Sequence, residues 1–190
     1  MSDTSTTRPL LLPHSSSGAE RLFGIALRLL AGIAALIAGS KLNVPLWPVP
    51  FTMQTFAVLV IGAAYGRKLG LATVVSYLTL GALGAPVFAT GGGIGYFLMP
   101  SAGYLFGFIP AVYIAGIMGE TGKDRHFLTA LAGFAFAHCI IFVFGVAVLQ
   151  YHIGFTQAFW VGLVKFLPGA SCKFCAATVC MVLSWRIREQ

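Results

Sequence analysis

Six apolar segments run along the chain, separated by short stretches where charge, proline or glycine collects. They cover about Leu22–Leu42, Phe51–Gly66, Gly70–Phe88, Ser101–Gly119, Phe127–Gln150 and Gln157–Trp185. Each run is nearly continuous, without the two-residue alternation of a barrel strand, and so reads as a membrane helix. The second and third are short for a span, as in helices that tilt or stop at a cavity. Residues 1–19 are rich in Ser, Thr and Pro and lack apolar periodicity. They read as a disordered cytoplasmic tail ahead of a six-helix transmembrane domain, 20–190. The first segment has small residues, Ala38 and Ser40, near its end and could pass for a signal peptide. The long stretch before it and the charge pattern below make it an uncleaved helix.

The connection between the first two segments is unusual. Pro45, Pro48 and Pro50 remove backbone donors and fix φ, so Leu42–Pro50 is not helical. It is a stiff, extended apolar loop carrying Trp47. It serves either as a rigid turn with an interfacial tryptophan or as a lid over a ligand site. Residues 89–100 contain Thr90-Gly-Gly-Gly-Ile-Gly95 and end at Pro100, which predicts a flexible loop.

Composition agrees with the pattern. Of 190 residues 58% are hydrophobic and 9% charged, and the mean hydropathy is +0.89. A soluble domain carries about a quarter charged residues, so this is an integral membrane protein. The net charge of +7 does not point to nucleic acid, because the basic residues sit at segment ends. Arg8, Arg21 and Arg28 precede or enter the first segment. Arg67 and Lys68, Lys123 and Arg125, and Arg186 and Arg188 follow the second, fourth and sixth. With six spans these fall on one side, which puts both termini in the cytoplasm. Leu42–Pro50, Ala89–Pro100 and Tyr151–Thr156 then share the outer face. The two halves show no internal repeat.

Small residues recur at helical spacing. Gly62 and Gly66, and Gly103 and Gly107, predict close packing inside the bundle. Ala31, Ala34, Ala35 and Ala38 form a face of the first helix that packs either within this chain or against a separate protein. Cys139, Cys172, Cys175 and Cys180 all lie in apolar segments. The CxxC pair has no second pair or nearby His, so these read as packing residues and no metal site is expected. Gly116–Asp124 lacks the first glycine and the Ser/Thr of a phosphate-binding loop, and no enzyme signature is found.

Lys173 is the anomaly. It lies in the sixth segment, ~18 Å of helix from Trp185, near the midplane or slightly outside it. A cation there costs several kcal/mol and needs a partner, yet no Asp or Glu occupies a membrane segment. Either the ammonium reaches water or a ligand supplies the partner. Pro168, one turn earlier, is expected to free the carbonyl of Val164 and bend the helix beside it. His138 is either hydrogen-bonded to a neighbouring helix or a second polar member of a cavity. Thr52, Gln54, Tyr77 and Tyr104 are further candidates for an amphipathic pocket.

Four blocks resemble one known family. Val44-Pro-Leu-Trp-Pro-Val-Pro-Phe-Thr-Met-Gln54 is similar to the signature of BioY proteins, the biotin-specific substrate-binding (S) components of energy-coupling factor transporters. The likeness continues through Tyr77-Leu, Gly81-Ala-Leu-Gly84-Ala-Pro-Val-Phe88, Pro100-Ser-Ala-Gly-Tyr-Leu-Phe-Gly107 and Phe166-Leu-Pro-Gly-Ala-Ser-Cys-Lys173. The resemblance implies a six-helix, all-α membrane bundle that captures biotin from outside and uses no cofactor. It implies as partners a membrane coupling (T) protein, met by the alanine face of helix one, and cytoplasmic ABC-type ATPases. The loop with Val44, Trp47 and Pro48 would gate the pocket. Lys173 falls on the family's binding lysine, and the substrate-binding set is expected to be Lys173, Gly169, Tyr104, Gln54, Thr52 and Gly93. Two positions depart from the family: Ala170 stands where an acid is usual, and Gly93 or a neighbour where an asparagine is frequent. From the residues alone, two other readings stay open: a small channel or facilitator whose Lys173 lines an anion path, and a scaffold subunit without ligand.

Overall fold

The computed structural model describes residues 18–188. Of the expected tail, only Gly18 and Ala19 fall within that range, and they open α1 (Gly18–Lys41) instead of preceding it. A small hairpin follows, pairing β1 (Asn43–Val44) with β2 (Phe51–Thr52) antiparallel, with Asn43 opposite Thr52 and Val44 opposite Phe51. The prolines occupy the loop between these strands, where missing donors do no harm. The remaining helices are α2 (Gln54–Ala82), α3 (Ala102–Thr121), α4 (Phe127–Ile153), α5 (Phe155–Gly162) and α6 (Leu167–Arg188).

Among the described residues five helical stretches are long and apolar enough to cross a membrane, the last being Phe155–Arg188 with its interruption. One of the five is folded. Within α2, Gly66 has φ 79° and ψ 171°, a backbone that glycine adopts and other residues resist. The Gln54 amide nitrogen donates to the Tyr77 hydroxyl at 2.6 Å. In a straight helix those residues would stand ~34 Å apart, so the chain doubles back at Gly66. Residues 54–65 and 67–82 lie side by side, close enough that a Cβ on Gly70 would sit 3.3 Å from the Cα of Gly62. The turn needs only one residue. Arg67 and Lys68 therefore belong to the second limb, not to a loop, and Glu120 holds Arg67 at 2.8 Å.

Three boundaries differ from expectation for local reasons. The third segment stops at Ala82 instead of Phe88, because Gly84 (φ 102°) and Pro86 end the helix and turn Val87 and Phe88 back into the core. The loop expected at Tyr151–Thr156 shrinks to Gly154 (φ 79°), the joint between α4 and α5. The sixth segment is not one bent helix. It breaks at Leu163, passes through a short turn at Val164–Phe166, and restarts at Leu167. Pro168 lies in the first turn of α6, where a missing N–H costs little, so it starts a helix and does not kink one.

Glycines let the central helices approach. A Cβ on Gly62 would meet Ala115 of α3, and one on Gly107 would lie 2.8 Å from the Cα of Ile141 in α4. The outward surface is apolar: Leu27 and Leu30 on α1, Phe136 and Val143 on α4, and Leu183 and Ile187 on α6 are all exposed. Cys139, Cys172 and Cys175 are exposed as well, so they are not the packing residues the sequence suggested. The charged loop after α3 hides its acid. Asp124 is buried and accepts from the Trp185 indole at 2.8 Å, while the Arg125 guanidinium lies 4.1 Å from that ring.

Candidate functional site

The hairpin closes one end of a cavity whose walls come from α2, α3, α4 and α6. Helical spacing brings the wall together. Ser101, Tyr104, Leu105 and Phe108 share one face of α3 and its cap, and His138, Ile141 and Phe142 share one of α4. Phe166, Ala170 and Lys173 follow the same rule on and just before α6. The hairpin adds Val49, Pro50, Phe51 and Thr52, and the strand-to-helix turn adds Gln54 and Thr55. The lining is largely aromatic and aliphatic, with few polar groups, as small-molecule sites generally are.

Lys173 is 5% exposed. Its ammonium donates to the Thr52 carbonyl at 2.6 Å and lies 3.4 Å from the centre of the Phe51 ring. An ammonium has three donors, so the Thr52 carbonyl leaves N–H groups unused on the cavity lining. No Asp or Glu lines the wall. A cation over an aromatic face in a desolvated setting is worth about 2 kcal/mol, which together with the carbonyl offsets part of the cost of burial. Phe51 also stacks on Phe166 with centroids 5.7 Å apart. A methyl group on Gly169 would collide with the Phe51 ring. Gly169 thus positions the hairpin, and the structure does not place it on the lining.

The other expected residues divide. Thr52 and Gln54 line the cavity, but both are already engaged: the Thr52 hydroxyl meets the Gln54 amide oxygen at 3.3 Å, and the Gln54 nitrogen is held by Tyr77. Tyr77 is fully buried behind the wall, where its hydroxyl donates to the Val87 carbonyl at 3.0 Å. Tyr104 presents its ring, and its hydroxyl donates to the Gly162 carbonyl at 2.7 Å. Gly93 is not on the lining; its N–H donates to Gly81, and its φ of 101° shapes the loop. Val44 and Trp47 point outward, Trp47 at 82% exposure, and Pro48 is half-buried off the lining. The residues of that loop that face the cavity are Val49, Pro50, Phe51 and Thr52.

Sequence reasoning missed Phe51, Phe108 and Phe166. Counting three and seven residues back from Lys173 would have reached Ala170 and Phe166. Phe51 had no such signal, since its place depends on the hairpin register. Among the described residues no group of three or more His, Cys, Asp or Glu is placed to hold a metal ion.

Comparison with known proteins bears on this geometry. The model of the BioY family matches residues 15–190. The chain is similar to a biotin transporter BioY of Thermotoga maritima, at 37% identity over 152 residues, 74% of this chain and 89% of that one. It is 37% identical over 148 residues to a probable biotin transporter BioY of Pyrococcus horikoshii, covering 77% of this chain and 87% of the other. A probable biotin transporter BioY of Lysinibacillus sphaericus matches at 33% over 175 residues, 86% of each chain. In fold, the chain resembles the crystal structure of the S-component for biotin from an ECF-type ABC transporter. The TM-score is 0.78 at 22% identity, covering 93% of this chain and 96% of that chain.

Proposed function

The chain belongs to the BioY family, and from that premise we propose that it is a membrane-embedded biotin-binding subunit that captures the vitamin from the outer face for uptake. It is a transport component, not an enzyme. In this reading the chain crosses the membrane six times: α1, the two limbs of α2, α3, α4, and α5 with α6 as one interrupted pass. Both termini are then cytoplasmic, following the distribution of Lys and Arg. The hairpin, the glycine loop and the α4–α5 joint lie together on the outer side, above the cavity.

The observation that carries the reading is Lys173: a buried ammonium with donors to spare, in an aromatic pocket that no carboxylate lines. Biotin has an apolar bicycle, a ureido group and a carboxylate on an alkyl chain. Such a pocket buries the first and offers Lys173 to one of the other two. Support for a partner comes from α1. Ala31, Ala34, Ala35 and Ala38 are exposed, while Gly32, Ile33 and Leu36 on the other side are buried. A smooth exposed stripe lets a membrane coupling protein approach closely, and cytoplasmic ABC-type ATPases would supply the energy.

The test is titration of biotin into the purified chain in detergent. Saturable binding at one biotin per chain is expected. Absence of binding at millimolar biotin by a monodisperse preparation overturns the proposal.

A further inference from the structure

We infer that the imidazole of His138 is a direct ligand contact, hydrogen-bonded to an N–H of the ureido ring of bound biotin; this rests on the function proposed above. His138 belongs to α4, is 3% exposed, and lines the same cavity as Lys173. Its Nδ1 is buried without a hydrogen-bond partner. The ring packs against Phe142 and Phe174, at centroid distances of 5.2 and 6.1 Å, and neither offers an ordinary partner. Buried polar atoms are almost always paired, and one left unpaired is costly. Bridging to a neighbouring helix therefore does not account for this side chain. A ligand entering the cavity does.

The chemistry is complementary. A cyclic urea has two N–H donors and one carbonyl acceptor. Lys173 supplies donors only, and Ala170, one turn before it, supplies nothing. The Gln54 amide is engaged at both ends, the Tyr104 hydroxyl is turned to the Gly162 carbonyl, and besides His138 the Thr55 hydroxyl is a buried, unpaired group on the lining. A neutral imidazole carries one donor and one acceptor nitrogen, and a ring flip can turn either toward the cavity. His138 thus provides on α4 the acceptor that Ala170 does not provide on α6.

The experiment measures dissociation constants of the purified full-length chain for biotin and for biotin methylated on either ureido nitrogen. Wild type is compared with His138→Phe, which keeps the ring packing, and with His138→Gln, which keeps a donor and an acceptor. Wild type should bind biotin and disfavour one methylated analogue. His138→Phe should bind biotin about tenfold more weakly and lose that preference, and His138→Gln should stay within about threefold of wild type. If His138→Phe does not fold, His138→Ala is read by the same criterion. A wild type that binds biotin, with the preference intact in the variant, overturns the His138 contact and leaves the proposed function standing. A wild type that binds no biotin removes the proposed function, and the contact falls with it.

Discussion

Replacing Lys173 with Met removes the ammonium and keeps a flexible apolar stem of similar length. A charge-assisted hydrogen bond to a desolvated acceptor contributes about 1.5–3 kcal/mol, or roughly 10–150-fold in affinity. Where in that range the loss falls depends on the Thr52 carbonyl, which holds the ammonium at 2.6 Å. If biotin uses the spare donors, the whole contribution is lost in the variant. If biotin displaces Thr52, wild type already gives up one bond to gain another, and the loss lies at the lower end. Lys173→Met should therefore bind biotin at least about tenfold more weakly. The fold should survive, because the change removes a buried charge while costing Thr52 one partner of about 1 kcal/mol. Isothermal titration on the detergent-solubilised protein reads the affinity, and thermal unfolding checks the fold. Biotin methyl ester separates the poses: if Lys173 holds the carboxylate, wild type discriminates against the ester and the variant does not. Unchanged affinity for biotin in a folded Lys173→Met would refute a ligand role for the charge.

Other expectations follow from single features. Gly66→Val places a β-branched residue at φ 79°, so the doubled-back α2 should lose about 2 kcal/mol or more, visible as lower thermal stability and poor yield of monodisperse protein. Ala35→Trp adds bulk to an exposed stripe; biotin affinity should hold while co-purification with the proposed coupling protein falls, and equal loss of both would mean the stripe packs within this chain. Burial raises the proton affinity of the Asp124 carboxyl in the folded chain, with the Trp185 donor opposing. Its contribution is therefore intact at acid pH and declines as pH rises through the ordinary carboxylate range toward the raised value. Asp124→Asn, which keeps an oxygen for Trp185, should flatten that decline in unfolding temperature.

Much of the helical layout was legible because membrane helices announce themselves by long apolar runs, and charge marks their ends. What was not legible lay where a single residue changes the backbone. Gly66 and Gly154 each reduce an expected loop to one positive-φ joint, and apolarity on either side gives no hint of it. The break at Leu163 was hidden by apolar neighbours, and Pro168 reads the same in a kink as in a first turn. In the site, Lys173 stood out because a charge in an apolar helix demands a reason. Tyr77 and Gly93 looked like site residues and are not on the lining, because their hydrogen bonds close on Val87 and Gly81 behind it. For Tyr77 and Gly93 the partner atoms, not the residue type, separate scaffold from surface.

The hairpin resolves the question that Lys173 raises. A cation without a membrane carboxylate needs some partner, or it draws water into the bundle. Here the partner is the loop that covers the site: the Thr52 carbonyl takes one donor and the Phe51 ring faces the charge. Phe51 reaches that position because Gly169 has no side chain to obstruct it and Phe166 backs the ring. Pro48 and Pro50 stiffen the approach to β2, so the carbonyl is presented with little freedom left to lose. The arrangement offers the ammonium a neutral acceptor and a quadrupole but no counter-charge. A ligand that brings an anion or a strongly polar carbonyl therefore still has something to gain at Lys173, whereas a built-in carboxylate would already have claimed it.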